Sequence, residues 1–479
     1  MSDESRSLFF MRTFGFALFW IWLFLVAVSP SPLFGALKGL GSLPFEVWEV
    51  GARLLLLSLS LTATRLLTTS RGRWVYPVCC LVGGPVAALA LSSAATPEAV
   101  TLAALITAVV DVAMLIMWLC YFGYAKIGDI AFMLACSYAL GSILYLAVVA
   151  AGETAMLVAA IASPILSGAL FAYFVKNPPS LASEGLFQAS PAADRRPKLP
   201  AALRRLAIGL TLYAFVFALF SSRTAVSEYT FSSGPLVQAL ASIVLAAVVI
   251  AAIRLSDVSI GLYALYRSVP LVFGGGAALF LVLPAGLSLC AGFFVMLGYL
   301  LFEALSFNDF CNATKTNDGS LLRSMLIVRI AGSLGIFLGW VLGAPLSAAL
   351  DPDQSSRLII ALCFVVVIVA ASLVFTDKAM GKLGTIAGMR ARQEAAEARL
   401  DKTWLIPLFA TEHDLSKREA EVLEYLLQGR TMQYTAEKLF IAESTARSHV
   451  HKIYQKTETR GRMELIDRFE QFCSEHPKA

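Results

Sequence analysis

A series of apolar runs fills the chain from residue 9 to residue 376. Each is about 20 residues long, enough to cross roughly 30 Å of hydrocarbon. The runs lie near 9–29, 46–68, 74–93, 99–122, 129–150, 154–175, 204–222, 235–253, 267–283, 285–306, 321–345 and 357–376, about twelve in all. Few folds are open to such a chain. In lipid a spanning segment must satisfy its own backbone N–H and C=O groups, which for runs of this length means helix. Composition agrees, since 58% of residues are apolar and only 15% charged, a balance that excludes an ordinary soluble globule. The first run is long and aromatic, with no small-residue cleavage pattern behind it, and is expected to be retained rather than removed as a signal peptide.

The basic residues orient these runs. Arg6 and Arg12, then Arg65, Arg71 and Arg73, then Lys126, then Lys176 to Arg205, Arg254 and Arg267, Lys315 and Arg323, and Lys378 and Lys382 all fall in every second connection. Lys38, Arg223 and Arg357 are the exceptions. The positive-inside rule then predicts a multi-pass protein of the inner (plasma) membrane with both termini in the cytoplasm.

Residues 176–203, with Asn177-Pro178-Pro179-Ser180, Ser190-Pro191 and Arg195-Arg196-Pro197, are too polar and proline-rich to fold and are predicted to be a cytoplasmic linker. They divide the runs six and six. Leu140-Gly141-Ser142-Ile143-Leu144 in run five and Leu334-Gly335-Ile336-Phe337-Leu338 in run eleven sit in matching places. This layout resembles the major facilitator fold, whose halves are pseudo-repeats. The resemblance is architectural: the connection after run two keeps Arg71-Gly72-Arg73 but lacks the family's Asp, which argues against an ordinary transport cycle.

An ionisable side chain inside a span costs at least about 2.5–3.5 kcal/mol unless paired or hydrated, so each is a candidate site. Asp111 lies mid-run four and Glu303 in run ten. The facilitator resemblance implies that these two helices line a central cavity, where both carboxylates could meet a cationic or hydrogen-bonding ligand. Structural hydrogen bonding of Asp111 is the alternative. Arg329 in run eleven could serve the same site or pair with Glu303, and Glu49 and Arg53, four apart, could neutralise each other. Trp20, Trp22, Trp118, Tyr121, Tyr145 and Trp340 suit either a ligand cage or core and interface packing. Gly335 and Gly339, four apart, suit a close helix contact.

After run twelve the composition changes. Residues 377–410 are expected to form a linker whose Ala/Glu/Arg-rich part, 386–402, favours an exposed helix. From about 411 to 479 the pattern is a compact helical unit. Ser416 with Glu419 forms a capping box; Val422, Leu423, Leu426 and Leu427 recur at helical spacing; Gly429 closes that helix. A second helix spans about Met432 to Phe440, a third runs from Ser444 through Lys456, and a fourth from Arg462 to about Phe472. Arg418-Glu419-Ala420-Glu421-Val422-Leu423, Gly429, Ala436, Leu439, Ile441, Ser444-Thr445, Arg447, His449, Ile453-Tyr454, Lys456 and Arg462-Met463-Glu464 resemble the LuxR/GerE family of four-helix helix-turn-helix domains, over 415–472. Thr435, Ala446 and Thr457-Glu458-Thr459 depart from its usual Ile, Val and Leu-Gly-Val.

The resemblance implies that the third helix enters the major groove of double-stranded DNA, with Arg447, Ser448 and His451 at base edges and Thr445, Lys452 and Lys456 at phosphates, and that the domain dimerises through its fourth helix. The charges fit, because guanidinium reads guanine and ammonium groups displace phosphate counterions. No phosphate loop, no Ser/His/Asp order and no receiver domain are recognisable, and the eight cysteines show no CxxC spacing. Neither an enzyme, nor a cofactor, nor a metal site is expected. The expected protein is all-α: a polytopic bundle of about twelve helices that senses an unknown small-molecule ligand or a membrane state and controls a DNA reader. The alternative is a secondary transporter with an accessory DNA-binding domain.

Overall fold

Each lipid-length run lacks the period-two alternation of a strand, and each is a helix in the computed structural model. The structure describes residues 3–28, 45–64, 69, 72–122, 129–176, 201–226, 230–255, 258–283, 288–316, 321–349, 352–374, 405–427, 435–436, 438–459 and 461–475. The central linker at 177–200, the 386–402 helix and Gly429 lie outside them. The chain divides into two units, Met1–Leu383 and Gly384–Ala479.

The first unit holds α1 (Asp3–Leu23, continued by a π-turn at Phe24–Val28), α2 (Phe45–Thr62), α3 (Val75–Ser93), α4 (Pro97–Phe122), α5 (Asp129–Ala150) and α6 (Glu153–Lys176). Then follow α7 (Ala201–Val226), α8 (Thr230–Leu255), α9 (Val258–Val282), α10 (Ser288–Thr316), α11 (Leu321–Ala349) and α12 (Pro352–Val374). Ten of them, α3 to α12, are long and apolar enough to cross a membrane by length and composition. The other two complete the expected twelve. α2 carries Glu46, Glu49 and Arg53, and the apolar stretch of α1, Phe10–Val26, is shorter; α1 is largely buried in the bundle, whereas α2 buries one face, with Phe45, Val47, Glu49, Val50 and Leu57, and exposes Trp48, Leu55 and Leu59. Outside, Leu55, Val82, Leu102, Ile143, Val158, Leu271 and Ile368 are exposed, an apolar coat that suits lipid and not water.

Small residues set the closest helix contacts. On α11, Gly335, Gly339 and Gly343 press against α7, where a Cβ at Gly339 would lie 2.5 Å from the Phe215 carbonyl oxygen. In the first half Gly141 on α5 does the same against α1, with a Cβ there 2.7 Å from Trp20 Cβ and 3.0 Å from the Ala17 carbonyl oxygen. The sequence echo between runs five and eleven is therefore one contact used twice. Across the halves α2 packs on α11 and α5 on α8, pairs that exchange when each number is shifted by six.

The second unit holds α13 (Ile406–Glu412), α14 (Lys417–Leu427), α15 (Glu443–Lys456) and α16 (Arg462–Glu475). Of the expected second helix, Thr435, Ala436 and Lys438 are described and helical. One core joins these elements: Val422, Leu423 and Leu426 of α14, Val450 and Ile453 of α15, and Leu465, Ile466 and Phe469 of α16. α13 belongs to that core rather than to the linker at 377–410, since Leu405, Ile406 and Phe409 are buried and the Phe409 ring lies edge-on, 5.2 Å from both Phe469 and Phe472. Pro407 at the start of α13 suits a first helical turn, where its missing N–H would be unpaired anyway.

Candidate DNA-binding face and membrane cavity

In the second unit α14 begins at the capping box read from the sequence. The Ser416 N–H donates to Glu419 Oε2 at 2.8 Å and the Glu419 N–H to Ser416 Oγ at 3.3 Å. The same carboxylate receives Lys456 Nζ at 2.8 Å, and Lys456 also donates to the Asp414 carbonyl at 2.8 Å. Burial pushes the Glu419 pKa up. The Lys456 and Ser416 hydrogen bonds outweigh that, so the carboxyl titrates below its ordinary value. Arg418 donates to the Leu439 carbonyl and Arg462 Nη2 to the Leu426 carbonyl at 2.9 Å, which fastens α14 to its neighbours.

On α15, Ala446, Val450 and Ile453 turn inward, while Thr445, Arg447, Ser448, His451 and Lys452 are exposed. Among the described residues Arg447 pairs with Glu443 on its own helix, at 2.7 Å, with its side chain 71% exposed. Such a surface pair is worth about 0.5 kcal/mol and leaves the guanidinium free to exchange partners. His451 Nε2 lies 3.2 Å from Gln455 Nε2. Lys456 stands apart from these five, engaged with Glu419 and the Asp414 carbonyl. Buried Thr457 and Thr459, where the family has Leu and Val, keep their hydroxyls bonded: Thr457 Oγ1 donates to the Ile453 carbonyl at 2.7 Å and lies 2.9 Å from Thr459 Oγ1. Glu458 between them has φ +56°, the left-handed region that explains the family's glycine.

In the bundle, apart from Arg12, the buried charges among the described residues form two clusters. Arg53 donates to Glu49 at 2.6 Å and to Asp111 at 3.1 Å, and Trp22 Nε1–H donates to Asp111 at 2.5 Å. Arg329 donates to Glu303 Oε1 at 2.5 Å, and Tyr138 donates its hydroxyl to Glu303 Oε2 at 2.9 Å. Both intrahelical and hairpin pairs expected from the sequence, Glu49 with Arg53 and Glu303 with Arg329, are formed. Between the clusters lies a cavity of about 100 Å³. Glu303 and Arg329 line it; Asp111 does not, because its carboxylate is 1% exposed and stands behind Arg53. Sequence reasoning did not single out Gln238, Tyr299 or Ser333, which also line it, nor the reach of Arg53 from α2. Their signal, a polar residue within an apolar run, was present in each. Of the aromatics, Trp20 lines the cavity, whereas Trp118 donates to Ser167 at 2.7 Å and Trp340 packs with Val47 and Ala218.

Residues 413–469 match the family described as bacterial regulatory proteins, luxR family. The spore germination protein GerE of Bacillus subtilis (strain 168) is 42% identical over 52 residues, which cover 11% of this chain and 70% of that protein. The chain belongs to the luxR family of bacterial regulatory proteins. A transcriptional regulatory protein of the same organism, YxjL, is 43% identical over 51 residues, 23% of its length. Outside that domain this luxR-family chain is similar in fold to solved membrane proteins. A bacterial homologue of the iron transporter ferroportin in its outward-facing state aligns over 79% of this chain and 98% of its own, with a TM-score of 0.54 and 11% identity. The human organic anion transporter MFSD10 (TETRAN) aligns over 80% of this chain, with a TM-score of 0.50 and 14% identity. The luxR-type DNA-binding domain is thus fused to a facilitator-like bundle.

Proposed function

We propose that this protein is a one-component transcriptional regulator held in the inner membrane, with both termini in the cytoplasm. The bundle senses a small molecule or a state of the membrane. Through 386–402 it sets the availability, or the pairing, of the DNA-binding domain. The observation that carries this reading is the exposed face of α15: five side chains suited to DNA stand on a helix whose opposite face is locked into a core. Arg447, Ser448 and His451 read base edges, and Thr445 and Lys452 hold phosphates. Lys456 is held by Glu419 and contributes chiefly to fixing α15 on α14. Two such readers, paired through α16, would address half-sites about 34 Å apart, one turn of DNA. No catalytic step enters the scheme.

The test is transcript profiling of the host carrying wild-type protein or Arg447→Ala at equal membrane levels. A small gene set that responds to wild type and not to the variant supports the reading; identical profiles refute it. The facilitator-like fold favours one rival, a secondary transporter whose DNA-binding domain is accessory. Solute uptake that depends on the chain and is untouched by Arg447→Ala would replace the first reading with this one.

A further inference from the structure

We infer that the apolar groove bounded by α2, α4 and α11 holds an acyl chain of a bilayer phospholipid, and that the bundle reads the state of the membrane there. The inference rests on the proposal that the bundle is the sensing half, and names what is sensed. The groove is a cavity of about 630 Å³, within the roughly 300–1,000 Å³ of sites that enclose a whole small molecule. None of its ten lining residues is charged, and Trp48 alone carries a polar side-chain atom. The walls include Trp48, Ala52 and Leu55 of α2, Leu105 and Val109 of α4, and Phe337 of α11. Leu55, Leu105 and Val109 are exposed, so the groove opens outward, on to the apolar coat of the bundle.

Its place along the helices gives its length. On α2 the lining runs from Val47 to Leu56, 56 − 47 = 9 residues, or about 14 Å at 1.5 Å per residue. That is about half of the roughly 30 Å of hydrocarbon, the depth of one leaflet. The three helices agree on which half. Val47 lies near the start of α2, Leu105 is 105 − 97 = 8 residues from the start of α4, and Val341 is 349 − 341 = 8 residues from the end of α11. In the orientation proposed above this is the outer leaflet. Trp48 stands toward the headgroup end, and an apolar ring with one N–H is the side chain that gathers at that level.

A helix of a second copy is the rival occupant. Helices in lipid close on small residues four apart, but on this face Trp48 lies four before Ala52 and Leu55 four after Gly51, so bulk interrupts every step. A thin flexible chain passes such interruptions where a helix of about 10–12 Å diameter does not. The groove also lies on a seam, since α2 and α4 belong to the first half and α11 to the second. Within it a Cβ on Gly51 would stand 3.0 Å from the Phe337 ring. α2 gives Ala52 and Leu55 to the groove, and Glu49 and Arg53 to the buried cluster with Asp111. A chain that fills or leaves the groove therefore presses on the helix whose other face is tied to that cluster.

The test uses the purified full chain in nanodiscs of dioleoylphosphatidylcholine, a rising share of which carries bromine across its double bonds; bromine quenches indole fluorescence on contact. The emission of Trp48 is the difference between wild type and Trp48→Phe. Val109→Phe fills the groove from α4, at an exposed position, and should leave Tm unchanged. Strong quenching of Trp48 is expected in wild type and its loss in Val109→Phe, while quenching of the other tryptophans, read in the Trp48→Phe background, stays the same. Equal quenching of Trp48 with and without Val109→Phe means ordinary contact with passing lipid and overturns the assignment. So does a Trp48 that bromine does not reach in wild type, which gives the groove to protein: to a second copy if the discs hold two chains, to this chain itself if they hold one. Failure of the regulatory reading looks different, because transcripts that Arg447→Ala leaves unchanged refute it while the quenching result stands. If transcripts do respond, they should follow the length of fatty acids fed to the host in wild type and not in Val109→Phe. A response that Val109→Phe leaves unaltered moves sensing elsewhere in the bundle and overturns the role given to the groove.

Discussion

The bundle and the DNA-binding domain both bury a carboxylate next to a cation, and the two arrangements behave differently because their surroundings do. Asp111 and Glu49 share Arg53 with a side-chain exposure of 1% each, deep in an apolar helix bundle. Glu419 pairs with Lys456, whose side chain is 37% exposed, and water can replace what the pair loses. The first is an all-or-nothing unit; the second is an adjustable fastening. Removing one partner from a buried pair strands a charge, typically at about 3–5 kcal/mol, whereas a partly exposed pair is worth about 1 kcal/mol or less.

Arg53→Met breaks the comparison most severely, leaving Glu49 and Asp111 without their shared cation. Tm measured in nanodiscs should fall by the equivalent of about 3 kcal/mol or more; a variant as stable as wild type would show that the cluster is not a unit. Next comes Gly335→Ala, which places a methyl against the Thr211 carbonyl in the α7–α11 contact. Overpacking of this kind costs about 1–3 kcal/mol, and the same assay should show it, with Gly274→Ala, which meets open space, as the neutral control.

On the DNA side Arg447→Ala should cost about 1–3 kcal/mol of operator affinity in a gel-shift titration with no loss of folding, since its side chain is exposed. Unchanged sequence preference would remove Arg447 from the reading face. The smallest effect is acid sensitivity. Glu419 has a lowered pKa in the folded domain, so its contribution is complete above its ordinary pKa, near pH 4.5, and is lost as pH falls through the lower folded value. Hydrogen exchange of α14 and α15 should therefore quicken in that window in wild type, and the change should vanish in Glu419→Gln.

What the sequence disclosed followed distance along the chain. Glu49 with Arg53 and Ser416 with Glu419 lie within one helical turn of each other, where spacing predicts contact. Glu303 with Arg329 needed only the idea of a hairpin. The glycines of α5 and α11 were legible because a repeat places them twice. Asp111 with Arg53, Trp22 with Asp111 and Tyr138 with Glu303 are separated by 58, 89 and 165 residues, and no local pattern announces such partners. The same limit hid Gln238 from the cavity and led Asp111 to be counted as a lining residue. α13 escaped because seven residues, Ile406–Glu412, carry too short a period to separate from a linker. Lys456 was assigned from its place in the family pattern, which shows a residue's register but not which neighbour has already engaged it.

Glu303 has two oxygens and a commitment on each, one to Arg329 within its own half and one to Tyr138 in the other. A group that competes for either partner alters the electron density and position available to the second. Reciprocity is then unavoidable: if separating the halves weakens the Tyr138 bond and so changes what Arg329 can offer an occupant, an occupant at Arg329 must bias the separation of the halves by the same free energy. One carboxylate thus ties a helix of each half to the same side chain.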